Sequence, residues 1–147
     1  MKNATFYLLN QASLNLMEWL ACYFTVDKWR EGKLVLIACE DEAQALRIDE
    51  ALWACDPDTF VPHNLTGECS PYGTPVEICW QQRRGSNMNR EVLISLLLSV
   101  YADFASSFNE VIDFVPAEAT LKQLARNRYK TYRSVGFQLT TAIPPTR

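Results

Sequence analysis

Apolar positions follow two alternating rhythms along the chain. Short, nearly continuous apolar runs recur: "ATFYLL" (Ala4–Leu9), "LVLIAC" (Leu34–Cys39), "VEICW" (Val76–Trp80), "EVLISLL" (Glu91–Leu97) and "EVIDFV" (Glu110–Val115). Runs of this length, bounded by polar residues, predict buried strands of a largely parallel sheet. Other stretches carry helical spacing. Ser13 is placed to cap a helix reaching about Arg30, with Leu16, Leu20, Tyr23 and Phe24 at its period. "EDEAQALRIDEALWA" predicts a second helix, with acids in its first turn where the dipole favours them and Ala45, Ile48 and Leu52 facing inward. Pro116 opens a last element; Thr120 sits near its cap, the helix runs to about Val135, and Gly136 ends it.

The segments between are less regular. "CDPDTFVPHNLTGECSPYGTP" reads mostly as loop, with "FVPH" as a short strand, and "QQRRGSNMNR" reads as an exposed loop. "SVYADFASSF" fits neither rhythm, and "TTAIPPTR" reads as a tail. Strands alternating with helices predict an α/β fold: an open, mainly parallel sheet with helices on both faces. The 147 residues suit one domain, taken as residues 1–139 with a tail at 140–147. "LNLMEWLACYFTV" is broken by Glu18 and short for a membrane span, and no secretory core follows Met1 and Lys2, so a cytoplasmic protein is expected.

The fingerprints that nucleotide-binding sheets carry are absent. There is no G-x-x-x-x-G-K-[ST], no G-x-G-x-x-G and no G-x-S-x-G. The turn after "LVLIAC" is "EDEA", whose negative charge opposes a phosphate. His63, the single histidine, limits acid–base schemes, and its place between Pro62 and Asn64 fits a structural role. Glu40, Asp41 and Glu42 could hold Mg²⁺, but acids at a helix start are ordinarily solvated. Cys22, Cys39, Cys55, Cys69 and Cys79 lack C-x-x-C spacing and are expected to be buried apolar groups rather than zinc ligands. No catalytic residue, metal or cofactor is assigned.

Charge changes the picture. Fourteen basic against seventeen acidic residues give a net charge of −3, yet the distribution is uneven. Residues 40–58 carry seven acids and one base, Arg47, whereas Leu121–Arg133 carries five bases and no acid. On a helical wheel Leu121, Leu124, Ala125, Tyr132 and Val135 share the inner side, while Lys122, Arg126, Tyr129, Lys130 and Arg133 gather within an arc of about 100°. Arg128 falls among the apolar positions, at an edge or against a carboxylate. A like-charged stripe costs a few tenths of a kcal/mol per pair, so it points to a docking surface, a solvated face being the alternative. Val115 and Pro116 lead into the helix and Gly136 and Phe137 end it; if these ends meet the stripe, they add an apolar pocket suited to an acidic peptide with an aromatic or free carboxylate end. Direct binding of single-stranded nucleic acid is the rival reading, with only Tyr129 to stack on a base. Trp53 and Phe60 flank a loop, either as core or as an aromatic protein-binding patch.

Several long strings then occur in one order. "FYLL", "WREGKLVLIACEDEAQA", "DEALW" with "FVPHNL", and "DFVP" with "LKQLARNRYKTYRSVGF" resemble the chi subunit of bacterial DNA polymerase III over nearly the whole chain. That resemblance implies an α/β fold related to nucleotide-binding domains but without nucleotide chemistry, and a non-catalytic accessory role in replication. It implies a bridge between two partners: the psi subunit of the clamp-loader complex and the acidic C-terminal tail of single-stranded DNA-binding protein. A helicase-like repair protein is implied as an alternative occupant of the psi surface. By the same resemblance the tail site maps to Lys122, Arg126, Tyr129 and Lys130 with Val115, Gly136 and Phe137, and the psi site to Trp53 and Phe60. "GECSPYGTP" and "TTAIPPTR" resemble the family least.

Overall fold

The computed structural model describes residues 2–55, 61–66, 74–80 and 90–145. In chain order the elements are β1 (Asn3–Leu8), α1 (Leu14–Arg30), β2 (Val35–Cys39), α2 (Glu42–Cys55), β3 (His63–Leu65), β4 (Val76–Trp80), β5 (Val92–Ser95), α3 (Ala102–Ala105), β6 (Glu110–Val115), α4 (Ala119–Ser134) and β7 (Gln138–Ala142). The seven strands form one sheet in the order β3-β4-β2-β5-β6-β1-β7, and every pairing is parallel. The α/β architecture expected from the alternating runs is therefore the one observed.

The two faces follow from the period of two in a strand. In β2, Val35, Ile37 and Cys39 join one core layer, with Leu20, Phe24, Ile48 and Leu52 from α1 and α2. Leu36 and Ala38 point the other way, into the layer that holds Ala105, Ala125, Tyr132 and Phe137 from the side of α3 and α4. Because both faces are covered, every residue of β2, β4 and β5 is buried, and these strands are mostly apolar rather than alternating.

Local sequence sets the helix limits. Ser13 Oγ accepts the Leu16 N–H at 3.2 Å and caps α1 as expected. The cap of α4 is Glu118, whose carboxylate accepts the N–H groups of Thr120 at 3.1 Å and Leu121 at 2.8 Å. Gly136 adopts φ +94°, the left-handed turn that lets the chain leave α4 and enter β7.

Four segments differ from expectation. Strand β3 starts at His63, after Pro62, which has no N–H to give a ladder; Phe60 lies outside the described residues. Strand β7 reaches Ala142, so Thr140, Thr141 and Ala142 of the expected tail pair with β1. The irregular stretch after β5 contains the short helix α3. Arg90, at the end of a stretch read as exposed, is buried: it donates to the carbonyls of Val35 at 3.2 Å and Pro75 at 2.9 Å and to Glu77 Oε1 at 3.2 Å. Glu77 Oε2 also accepts the Thr66 hydroxyl at 2.7 Å, so this charge pair ties loop ends to the sheet. Among the described residues no helix is long and apolar enough to cross a membrane.

Candidate functional site

Helix α4 is anchored from beneath by a buried polar cluster. Arg128 Nε donates to Asp113 Oδ2 at 3.0 Å, and its other nitrogens donate to the carbonyls of Leu98 at 2.9 Å and Phe114 at 3.0 Å. The Tyr132 hydroxyl donates to the same Asp113 oxygen at 3.0 Å, while Asp113 Oδ1 accepts the Phe114 N–H. Burial pushes the Tyr132 phenol well up, and the Asp113 carboxylate adds to it. Arg128 thus pairs with a carboxylate, one of the two placements expected for it.

With that side fixed, the stripe faces outward. Lys122, Arg126, Tyr129 and Lys130 form one wall of a groove of about 460 Å³. Its floor comes from Phe6 and Leu8 of β1, Leu9 just beyond it, Val115 of β6, Thr141 of β7 and Ala125 of α4. The Tyr129 ring lies 5.6 Å from Phe6, so it closes the groove against the sheet rather than standing free. Leu8 is 46% exposed although it ends a buried strand, and it supplies apolar surface at the mouth. Apolar floor and basic wall meet here, which suits a ligand with an apolar end and negative charge beside it.

Of the residues assigned to a tail site, the structure brings five together around this groove: Val115, Lys122, Arg126, Tyr129 and Lys130. Gly136 and Phe137 are placed elsewhere. They follow the far end of α4, about 20 Å along the axis from Lys122. Phe137 is 5% exposed, its ring 5.7 Å from Tyr132, with Lys2 Nζ over it at 5.3 Å. Arg133 is exposed but does not line the groove. Sequence reasoning missed Phe6, Leu8, Leu9 and Thr141. A helical wheel gives one wall of a cleft, and only the pairing of β1 with β6 and β7 supplies the other.

On the opposite side of the molecule Trp53, near the end of α2, is 56% exposed. Its ring lies 4.8 Å from that of His63, whose Nδ1 donates to the Val61 carbonyl at 2.8 Å and whose Nε2 lies 3.2 Å from Asp49 Oδ1. His63 is thereby a buttress for an exposed indole. Phe60, paired with Trp53 in the sequence reading, falls outside the described residues.

A second cavity of about 210 Å³ lies at the C-terminal ends of β2 and β4, lined by Cys39, Cys79, Trp80 and Tyr101 among others. Open parallel sheets commonly bind nucleotides in this crevice. Here the adjoining helix begins with Glu42, and the Glu40 carboxylate accepts the Leu98 N–H at 2.9 Å. Burial, with neighbouring Cys79, raises the Cys39 thiol far out of the reactive range. Cys22, Cys39 and Cys79 are buried, and among the described residues no cluster of His, Cys, Asp and Glu could hold a metal ion.

Fold and site together define a doubly covered α/β domain that shows no phosphate cradle among the described residues and carries an apolar groove under a basic helix. The chain belongs to the DNA polymerase III chi subunit (HolC) family, which it matches over residues 1–140. It is 58% identical to DNA polymerase III subunit chi of Escherichia coli K12, over 97% of this chain and 98% of that one. It is 49% identical to the Haemophilus influenzae subunit, covering 95% and 96%, and 31% identical to the Pseudomonas aeruginosa subunit, covering 95% and 94%.

Proposed function

We propose that the chain is a non-catalytic accessory subunit of a cytoplasmic bacterial DNA polymerase III holoenzyme and acts there as a bridge. One surface, around Trp53 and Phe60, binds the psi subunit of the clamp-loader complex or, in its place, a helicase-like repair protein. The other, along α4, holds the acidic C-terminal tail of single-stranded DNA-binding protein.

The observation that carries the second half is the meeting of an apolar floor with a basic wall in one groove. A terminal phenylalanine enters beside Phe6, Leu8 and Val115. Lys122, Arg126 and Lys130 face the tail's acids and its end carboxylate. Exposed ion pairs give only ~0.2–1 kcal/mol each, whereas burying the ring gives roughly 1.5–3 kcal/mol. After the cost of association the affinity is on the order of micromolar. Presentation of several tails on one coated strand then raises avidity.

The test is a titration with a fluorescent peptide copying an acidic tail, with and without its final phenylalanine, against the wild type and Arg126→Glu. Binding that needs both the phenylalanine and Arg126 supports the reading. Equal binding by Arg126→Glu, or tighter binding to bare oligonucleotide with a steep salt slope, sinks it in favour of a nucleic-acid surface.

A further inference from the structure

Strand β7 forms one edge of the sheet, and it runs beside the groove, to which it contributes Thr141. We propose that the outer edge of β7 is a strand-addition site: the extended part of an acidic peptide seated in the groove pairs there as an eighth, parallel strand. This rests on the reading of the groove given above.

The backbone shows which groups are on offer. The Gln138 N–H donates to the Lys2 carbonyl at 2.8 Å, so Gln138 faces β1. In a ladder, successive residues turn their N–H and C=O groups to opposite sides. Thr140 and Ala142 therefore also face β1, while Leu139 and Thr141 present theirs outward. Among the described residues no strand pairs with that outer side. The edge also lacks the usual protection. From Gln138 to Ala142 it carries neither a charge nor a proline. Beyond it Ile143 is 87% exposed, one residue past the last ladder pair of Tyr7 with Ala142.

Charge selects the occupant. Helix α4 packs over β7 and β6 and has no acidic residue from Ala119 to Ser134. A second copy joined edge to edge about a two-fold axis normal to the sheet would set two basic stripes side by side, which like charge disfavours. An acidic extended chain meets complementary charge instead. Direction follows from the groove. Its apolar end lies by Leu8, Leu9, Val115 and Lys122, toward the C-terminal ends of β1 and β6. A peptide whose carboxyl end sits there and whose preceding residues run back past Thr141 to Leu139 lies parallel to β7, with the sense of every other strand.

The experiment titrates the full chain with two probes: a long acidic peptide ending in phenylalanine, and a truncated one holding only its last few residues. The long peptide is expected to bind about tenfold tighter, as two or three modest hydrogen bonds would give. Thr141→Pro removes one outward N–H without touching the pairing to β1. It should abolish that gain, so that the long peptide binds the Thr141→Pro protein no more tightly than the short one does, whereas Thr141→Val should keep the gain. Single N-methylations along the long peptide need no change in the protein, and they should weaken binding only at alternate positions. Equal affinities for both peptides, or N-methylation effects without parity, overturn strand addition while the groove reading stands. Absence of any peptide binding overturns both. Concentration-dependent dimerisation lost in Thr141→Pro would assign the edge to a second copy and overturn the proposal as well.

Discussion

The Arg128 guanidinium and the Asp113 carboxylate, joined Nε to Oδ2 at 3.0 Å, lock the inner side of α4 to strand β6. Both are almost fully buried, at 4% and 1% exposure. Burial alone would lower the Arg128 pKa; the adjoining Asp113 charge and hydrogen bond outweigh it and hold the pKa above its ordinary value, so the arginine stays charged inside the protein. Because Arg128 faces inward, the helix rotation is set, and Arg126, Tyr129 and Lys130 must face the groove. Arg128→Ala leaves Asp113 buried without its counter-charge and should cost about 3–5 kcal/mol, read by urea unfolding. Arg128→Lys should recover only part of this. A single ammonium cannot reach Asp113 and the carbonyls of Leu98 and Phe114 in the planar fork that arginine provides.

Leu8 and Phe137 should separate binding from stability. Leu8 is half exposed at the groove mouth, and Phe137 is buried beneath the far end of α4. Leu8→Ala is expected to weaken an acidic, phenylalanine-ended peptide several-fold while shifting the melting temperature by no more than about 2 °C. Phe137→Ala should do the reverse, costing about 3–5 kcal/mol with unchanged affinity at temperatures where the protein stays folded. If Phe137→Leu, which keeps the core filled, weakened the peptide, Phe137 would belong to the groove after all.

The same pair shows what a linear reading can and cannot reach. Strands β2, β4 and β6 were legible because nearly continuous apolar runs of five or six residues have few other physical solutions. The basic stripe was legible because helical period is a local property. Phe137 does not line the groove, because adjacency in sequence to a helix end says nothing of distance from its first turn, about 20 Å away. Leu8 and Thr141 were invisible because their role depends on β1 pairing with both β6 and β7, strands more than a hundred residues later. Arg90 was read as solvated because its partner carbonyls on Val35 and Pro75 come from other parts of the chain.

Trp53 offers a test of the second surface. An indole 56% exposed contributes little to the core, so Trp53→Ala should leave unfolding by urea nearly unchanged. Its loss should instead weaken association with the proposed psi partner by tenfold or more, as truncating an aromatic anchor commonly does. Co-elution of the two subunits on size-exclusion chromatography reads this directly. Retained co-elution at concentrations just above the wild-type dissociation constant, where a tenfold weaker complex would come apart, would remove Trp53 from that interface.

Acid should remove part of the stability through Glu110. Lys28 Nζ lies 2.6 Å from one of its carboxylate oxygens and Lys33 Nζ 2.9 Å from the other, at the start of β6. Burial works to raise its pKa, but the hydrogen bonds from Lys28 and Lys33 outweigh it, so the carboxyl titrates below its ordinary value. A folded-state pKa below the unfolded one means that the stabilisation is fully present above the ordinary carboxylate range, near pH 4.3, and is lost as pH falls through the folded value. At neutral pH Glu110→Gln should therefore be less stable than wild type, by no more than about 1 kcal/mol because the site is partly exposed and screened. Urea unfolding at successively lower pH should show the two proteins converging below about pH 4. Glu118 also titrates low, held by the Leu121 and Thr120 N–H groups, but it is common to both proteins and cancels in the comparison. A gap that stays constant down to pH 3 would show that the glutamine disturbs packing, and that the two lysines do not stabilise the carboxylate.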